Sequence, residues 1–243
     1  MLRILSIPTI VAAVAVGAVA APSGAVAAPP ETNEAALVVS KATAAVRSFQ
    51  DDVVTRSELS AAVRNAAGVL IVPGYVRAGV GIGGEGGTGV LLRHDPANGR
   101  WSYPAFFDLR AATLGPQLGY QTADLIMVVE NALALQAILN GKFSFGADAV
   151  AVAGRDGVRT GTVTQDGRQA LALRVFARTA GAFAGATVKG GTIESNAKLD
   201  IGYYGPGATA TRIIGESGLR NADAEELRSV VAGIASGSAA KRP

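Results

Sequence analysis

GVGIGGEGGTG, residues 79 to 89, decides how the middle of this chain is read. Gly79, Gly81 and Gly84 have the G-x-G-x-x-G spacing of a dinucleotide-binding turn. That turn needs a strand before the glycines and a helix after them, so that a helix N-terminus faces the pyrophosphate. Here the glycines lead into Gly89-Val90-Leu91-Leu92, another strand-like run, so no helix dipole is on offer and nucleotide binding is not expected. Alternation gives a better account: Gly79, Gly81 and Gly83 share one strand face, with Val80 and Ile82 on the other. A bare glycine face admits a close neighbour. The segment therefore reads as a hairpin with architectural glycines.

Outward from it, residues 69 to 129 are short Val, Ile, Leu and Phe runs broken by Gly, Asn and Pro. Strands are expected near 69–73, 76–84, 88–94, 101–109, 113–121 and 124–129, with a turn at Asp95-Pro96-Ala97-Asn98-Gly99. Asn131 caps a helix whose apolar side is Leu135, Ile138 and Leu139 and which Gly141 ends. Strands resume at 142–153, 169–178 and 181–194.

Helices are expected at both ends. Val38, Ala42, Ala45 and Phe49 recur at helical spacing in 32–50, with Lys41 and Arg47 off that stripe. Thr55 and Glu58 have capping-box spacing for a second helix from Arg56 to Ala67, closed by Gly68. Leu227, Val230, Val231 and Ile234 form the apolar side of a C-terminal helix. The tail from Ser236 to Pro243 is expected to be disordered. The fold expected is α+β, a mainly antiparallel sheet or partly closed barrel with glycine-rich strands, flanked by N- and C-terminal helices.

Composition narrows the function. Residues 1–27 carry one early arginine, a long apolar run and the small-x-small pattern Ala25-Val26-Ala27, the marks of a secretory signal peptide. The chain is then expected to work outside the cytoplasm. Without cysteine there is no disulfide, thiolate metal site, cysteine nucleophile or lipidated cysteine. Removing Arg3 with the signal leaves 21 Lys and Arg against 19 Asp and Glu, too even for a nucleic-acid partner. A single histidine, His94, excludes a histidine-based triad or multi-histidine metal centre, and it reads as a solvated loop residue. Glu85, Asp124 and Asp148 lie in apolar surroundings and are expected to bind turn amides or to pair with Arg77 or Lys142. Tyr75, Trp101, Tyr103, Phe106 and Phe107 read as core. No catalytic residue, cofactor or metal is assigned.

Several blocks carry a resemblance: AGVLIVPGYVRAGVGIGGEGGTGVLL (67–92), WSYPAFFDL (101–109), LGPQLGYQTADLIMVVEN (114–131) and KFSFGADAVAVAG (142–154). With AGAFAGATVKGGTI (180–193) and Tyr203-Tyr204-Gly205, they resemble, in order, the SYLF domain family of lipid-binding proteins. The match covers about 35 to 215. It divides the chain into a signal (1–27), an N-terminal amphipathic helix and linker (28–55), a SYLF-like domain (56–215) and a C-terminal helix and tail (216–243).

The resemblance implies noncatalytic phospholipid binding, with an anionic phospholipid or membrane surface as partner and an envelope location for an exported bacterial member. It points to Lys41, Arg47, Arg56 and Arg64 on the N-terminal helices, with Arg77 beside Tyr75, as the lipid-binding residues. Yet Glu31, Glu34, Asp51 and Asp52 offset the helix's charge. Four cations at about 1 kcal/mol each near an anionic surface yield only ~4 kcal/mol, roughly millimolar affinity. Apolar insertion must supply the rest. The alternative is a structural, self-associating envelope protein, a homo-oligomer using exposed strand edges or the C-terminal helix.

Overall fold

The computed structural model describes residues 30–51, 53–141, 143–145, 158–165, 168–185, 188–215 and 219–237. The expected signal peptide, Lys142, Asp148 and the tail beyond Gly237 lie outside them. Helices α1 (Pro30–Gln50) and α2 (Val53–Arg64) lead into β1 (Gly68–Asp95), β2 (Arg100–Trp101) and β3 (Ala105–Val129). Then come α3 (Ala132–Leu139), β4 (Ser144–Phe145), β5 (Val158–Gln165), β6 (Arg168–Gly185) and β7 (Val188–Ser195). Helices α4 (Ala197–Tyr204), α5 (Ala210–Ile214) and α6 (Glu225–Ser236) complete the order, with a short 3₁₀ turn just before α6.

All strand pairs are antiparallel, in the order β2-β1-β3-β6-β5, with β7 on the far half of β3 and β4 beyond it. The path ends at β2 and β5, so among the described residues the sheet is open rather than a closed barrel. The α+β expectation holds, with helices at both ends.

The strand count does not. Six strands were expected between 69 and 129, but β1 is one strand of 28 residues and β3 one of 25. The glycine stretch is not a hairpin: Gly83 through Gly89 pair in register with Thr113 through Phe107 of β3. In place of chain reversal there is a bend inside a continuous ladder, marked by a register shift between Val80 and Ile82. Gly81 takes φ +71 there, a left-handed conformation that other residues adopt at a cost. The alternation predicted through Gly79, Gly81 and Gly83 is broken at that residue.

β6 and β7 share the bend. Gln117 pairs with Gly185 and Leu114 with Val188, so one register runs along β3 from Val129 to Phe107. β1 and β3, with β6 and β7 laid end to end along β3, thus fold over as a ribbon.

Folding over brings β1 back onto itself. A Cβ on Gly89 would stand 2.3 Å from the Ile71 carbonyl oxygen, and one on Gly68 2.7 Å from that of Leu92. Only glycine permits this approach.

The apolar runs are explained by burial on both sides. Val69, Ile71, Val90, Leu92, Phe106, Ile126 and Phe176 pack with α1, α2 and α6. Leu70, Val72, Leu91, Phe107, Leu125, Met127 and Leu173 pack with α3 and α5. Neighbouring residues of one strand point to opposite faces, so a strand covered on both reads VLIV rather than alternating.

At the helices, α1 buries Ala42, Ala45 and Phe49 as expected, along with Ala35, Val39 and Val46. Asn131 caps α3, accepting from the Ala134 amide at 2.9 Å. α6 buries Leu227, Val230, Val231 and Ile234 and continues through Ser236, which the expected tail had included. Helix α2 starts at Val53, so Thr55 is a buried residue inside it rather than its N-cap. Helices α4 and α5 were not foreseen.

Candidate functional site

The bend of the ribbon concentrates the exposed apolar surface. Val80 (75% exposed), Ile82 (72%), Leu118 (65%) and Tyr120 (58%) all lie there. Val80 is opposite Leu118 and Ala78 opposite Tyr120, which places these side chains on one face of the ladder. Val80, Ile82 and Leu118 line a shallow concavity. Residues 78–84 of β1, 111–123 of β3, 179–185 of β6 and Val188 of β7, which meet at the bend, include no Asp, Glu, Lys or Arg. In a chain with 17% charged residues, a charge-free bend needs an explanation.

Behind the bend is a polar knot. Arg77 Nε meets Glu85 Oε1 at 2.6 Å, and the Tyr75 hydroxyl donates to Glu85 Oε2 at 3.2 Å. The Glu85 side chain is almost fully buried. Burial, and after it the Glu85 charge, raises the Tyr75 phenol well above its usual range and keeps it a donor. The sequence expectation that Glu85 pairs with Arg77 is met. Asp124 accepts from Gly74 N at 2.9 Å, a backbone amide at the irregularity of β1 between Val72 and Tyr75 rather than in a turn. A buried carboxylate with an ion-paired guanidinium and a phenol holds strand halves together.

Of the five basic residues expected to bind lipid, three have partners inside the fold. Arg77 is in the knot. Arg47 pairs with Glu226 at 2.6 Å, and Arg56 donates to the Gln50 carbonyl at 3.4 Å. Lys41 and Arg64 are exposed. The apolar face of α1 is occupied by the core.

His94 corrects another expectation: it is buried, stacked on Trp101 with ring centroids 4.4 Å apart, and its Nδ1 lies 3.1 Å from the Ala66 carbonyl. Pairing of His94 with Trp101 across β1 and β2 carries the ring inward. Tyr75, Trp101, Phe106 and Phe107 are buried as expected and Tyr103 only partly.

A deeper acid was not foreseen. Asp200 is fully buried in α4 and accepts from the Phe106 amide at 2.9 Å. Burial pushes its carboxyl up to about 6, against the lowering effect of the Phe106 amide and the Ser195 hydroxyl. Its chain signal was available: Asn196 caps α4 by accepting from Leu199 N, an acid lies in the first turn, and Gly205 ends the helix.

The family described as Ysc84, Las17-binding protein actin regulator, matches residues 110–234, just over half of the chain. The chain belongs to this family. The SYLF resemblance read from the sequence blocks is thereby borne out. The Ysc84 match takes in most of β3 and everything from there into α6. Curated relatives include the SH3 domain-containing YSC84-like protein 1 of Bos taurus, 25% identical over 70% of this chain and 49% of that one. The LAS seventeen-binding protein 3 of Saccharomyces cerevisiae is 23% identical over 76% of this chain and 39% of that one. The chain thus spans half or less of the length of these relatives. No solved structure matches it.

Proposed function

We propose that this Ysc84-family protein is a noncatalytic phospholipid and membrane-surface binding protein of the bacterial cell envelope, inserting the bend of its ribbon into the bilayer. The observation that carries the reading is the charge-free bend with Val80, Ile82, Leu118 and Tyr120 exposed on it. A bilayer suits this surface because it takes apolar side chains without asking for complementary polar groups. Tyrosine is favoured at the headgroup boundary, where its ring is half in water. Burying Val80, Ile82 and Leu118 is worth about 2 kcal/mol each, on the order of 6 kcal/mol together. That exceeds what Lys41 and Arg64 contribute at an anionic surface, about 1 kcal/mol apiece. The bend therefore anchors, and the basic residues select anionic membranes.

The test is cosedimentation of the protein with vesicles. Binding is expected to anionic phospholipid, more weakly to neutral lipid, and to be only partly lost in high salt, since screening does not reach inserted apolar groups. Protein that stays in the supernatant with every headgroup overturns the reading. Protein that sediments without vesicles favours self-association, for which the edge of β1 is the natural surface, since among the described residues β2 pairs with only His94 and Asp95 of it.

A further inference from the structure

At the closed end of the β1–β3 ladder, a cleft of about 610 Å³ lies between the start of α6 and strand β2. Four arginines line it: Arg93, Arg100, Arg220 and Arg228. Two carboxylates line it as well, Asp95 and Glu225, and each is already engaged. Asp95 accepts from the Ala97 amide at 3.1 Å and from Asn98 Nδ2 at 2.7 Å, closing the 95–99 turn. Glu225 is held by Arg228 Nη1 at 2.9 and 2.7 Å and by the Tyr103 hydroxyl. Arg228 is fixed too: it donates to the Trp101 carbonyl at 3.0 and 2.8 Å and lies 4.3 Å over the Tyr103 ring.

That leaves three guanidinium groups. Among the described residues, no carboxylate or carbonyl accepts from the side chains of Arg93, Arg100 or Arg220. Arg93 Nε is buried without an acceptor, and so is the indole N–H of Trp101, which also lines the cleft. Buried donors in folded proteins nearly always find an acceptor. Among the described residues, donors and positive charge thus accumulate around this space while its two carboxylates are already engaged.

We propose that this cleft binds a phosphate monoester, gripped by Arg93, Arg100 and Arg220. A monoester presents three terminal oxygens, acceptors only, with close to two negative charges. Guanidinium forks match that geometry through paired charge-assisted hydrogen bonds. Arg228, locked by Glu225 and Trp101, forms a wall rather than a ligand. The volume suits a compact group and not a nucleic-acid duplex. The site is separate from the bend: Ile82 and Arg93 are eleven residues apart along β1, up to roughly 36 Å of strand. Neither reading needs the other.

Titration calorimetry on the full chain with inorganic phosphate and with glycerol 3-phosphate tests the site, alongside vesicles carrying either phosphatidic acid or phosphatidylglycerol. Saturable binding of a monoester form is expected. Arg100→Gln and Arg220→Gln, both exposed and so expected to fold normally, should each weaken it roughly tenfold. Binding of the soluble probes would assign the site to a free phosphomonoester. Binding confined to phosphatidic acid vesicles, and lost in the same variants, would assign it to a lipid headgroup. No saturable binding of either form, or binding unchanged in both variants, overturns the proposal. A protein that binds glycerol 3-phosphate but ignores every vesicle keeps this site and loses the membrane reading.

Discussion

Arg77 and Glu85, eight residues apart on one strand, meet in an ion pair of 2.6 Å. Eight residues of straight strand span roughly 26 Å, beyond the joint reach of the two side chains. The pair is therefore a direct consequence of the fold-over and a lock on it. Glu85→Gln should destabilise the protein by on the order of 3 kcal/mol, because it leaves a half-buried guanidinium without its counter-charge. Arg77→Met combined with Glu85→Gln should recover part of that loss. Urea unfolding measures both, and equal stability of Glu85→Gln and the parent would show the lock to be idle.

The crossing of β1 on itself makes a second contrast. Gly89→Ala, whose Cβ would press on the Ile71 backbone, should cost at least ~1–3 kcal/mol. Gly84→Ala meets nothing within 4 Å and should be near neutral. At Gly81 the space is also open but φ is positive, so Gly81→Ala should cost about 1–2 kcal/mol through backbone strain alone. Crowding, the reason the glycine face first suggested, does not operate at Gly81. Thermal midpoints ranked in any other order would contradict this geometry.

Asp200 gives a pH dependence of definite sign. Its folded pKa, about 6, lies above the ordinary 3.8. Its protonated form therefore favours the native state fully below about 4, and that contribution is lost as pH rises through 6. The loss is on the order of 3 kcal/mol. Asp200→Asn keeps the acceptor for the Phe106 amide and cannot ionise. Its stability relative to the parent should improve between pH 4 and pH 7; a difference constant across that range would contradict the assignment.

At the bend, Val80→Ser, Ile82→Ser and Leu118→Ser together should remove most vesicle binding while moving stability by no more than ~0.5 kcal/mol per site, as exposed substitutions do. Lys41→Ala with Arg64→Ala should remove only the salt-sensitive part. Retained binding in the triple serine variant would move the anchor elsewhere.

Sequence periodicity found what is local. Helices α1, α3 and α6, the Asn131 cap and the 95–99 turn each have their signal within a dozen residues. The glycine stretch misled because glycine marks turns, bends and close crossings alike, and only the pairing of Gly83 with Thr113 tells which. His94 was misplaced because its burial depends on Trp101, seven residues away across a turn. The arginine cleft was invisible for a related reason: positions 93, 100, 220 and 228 converge only when α6 docks on β2. The apolar bend was half legible, as a lack of charge on three separate stretches, but not as one surface.

The anchoring of α1 has a temporal side. Thr32 donates to the Gly202 carbonyl, 170 residues on, and Gln50 to that of Val230, 180 residues on. Helix α1 therefore completes its set of partners only when α4 and α6 have emerged. Until then β1 and α2 cover only part of its apolar face, and such long-range closure is slow. The core around α1 thus closes fully only when α6 docks, late in the emergence of the chain.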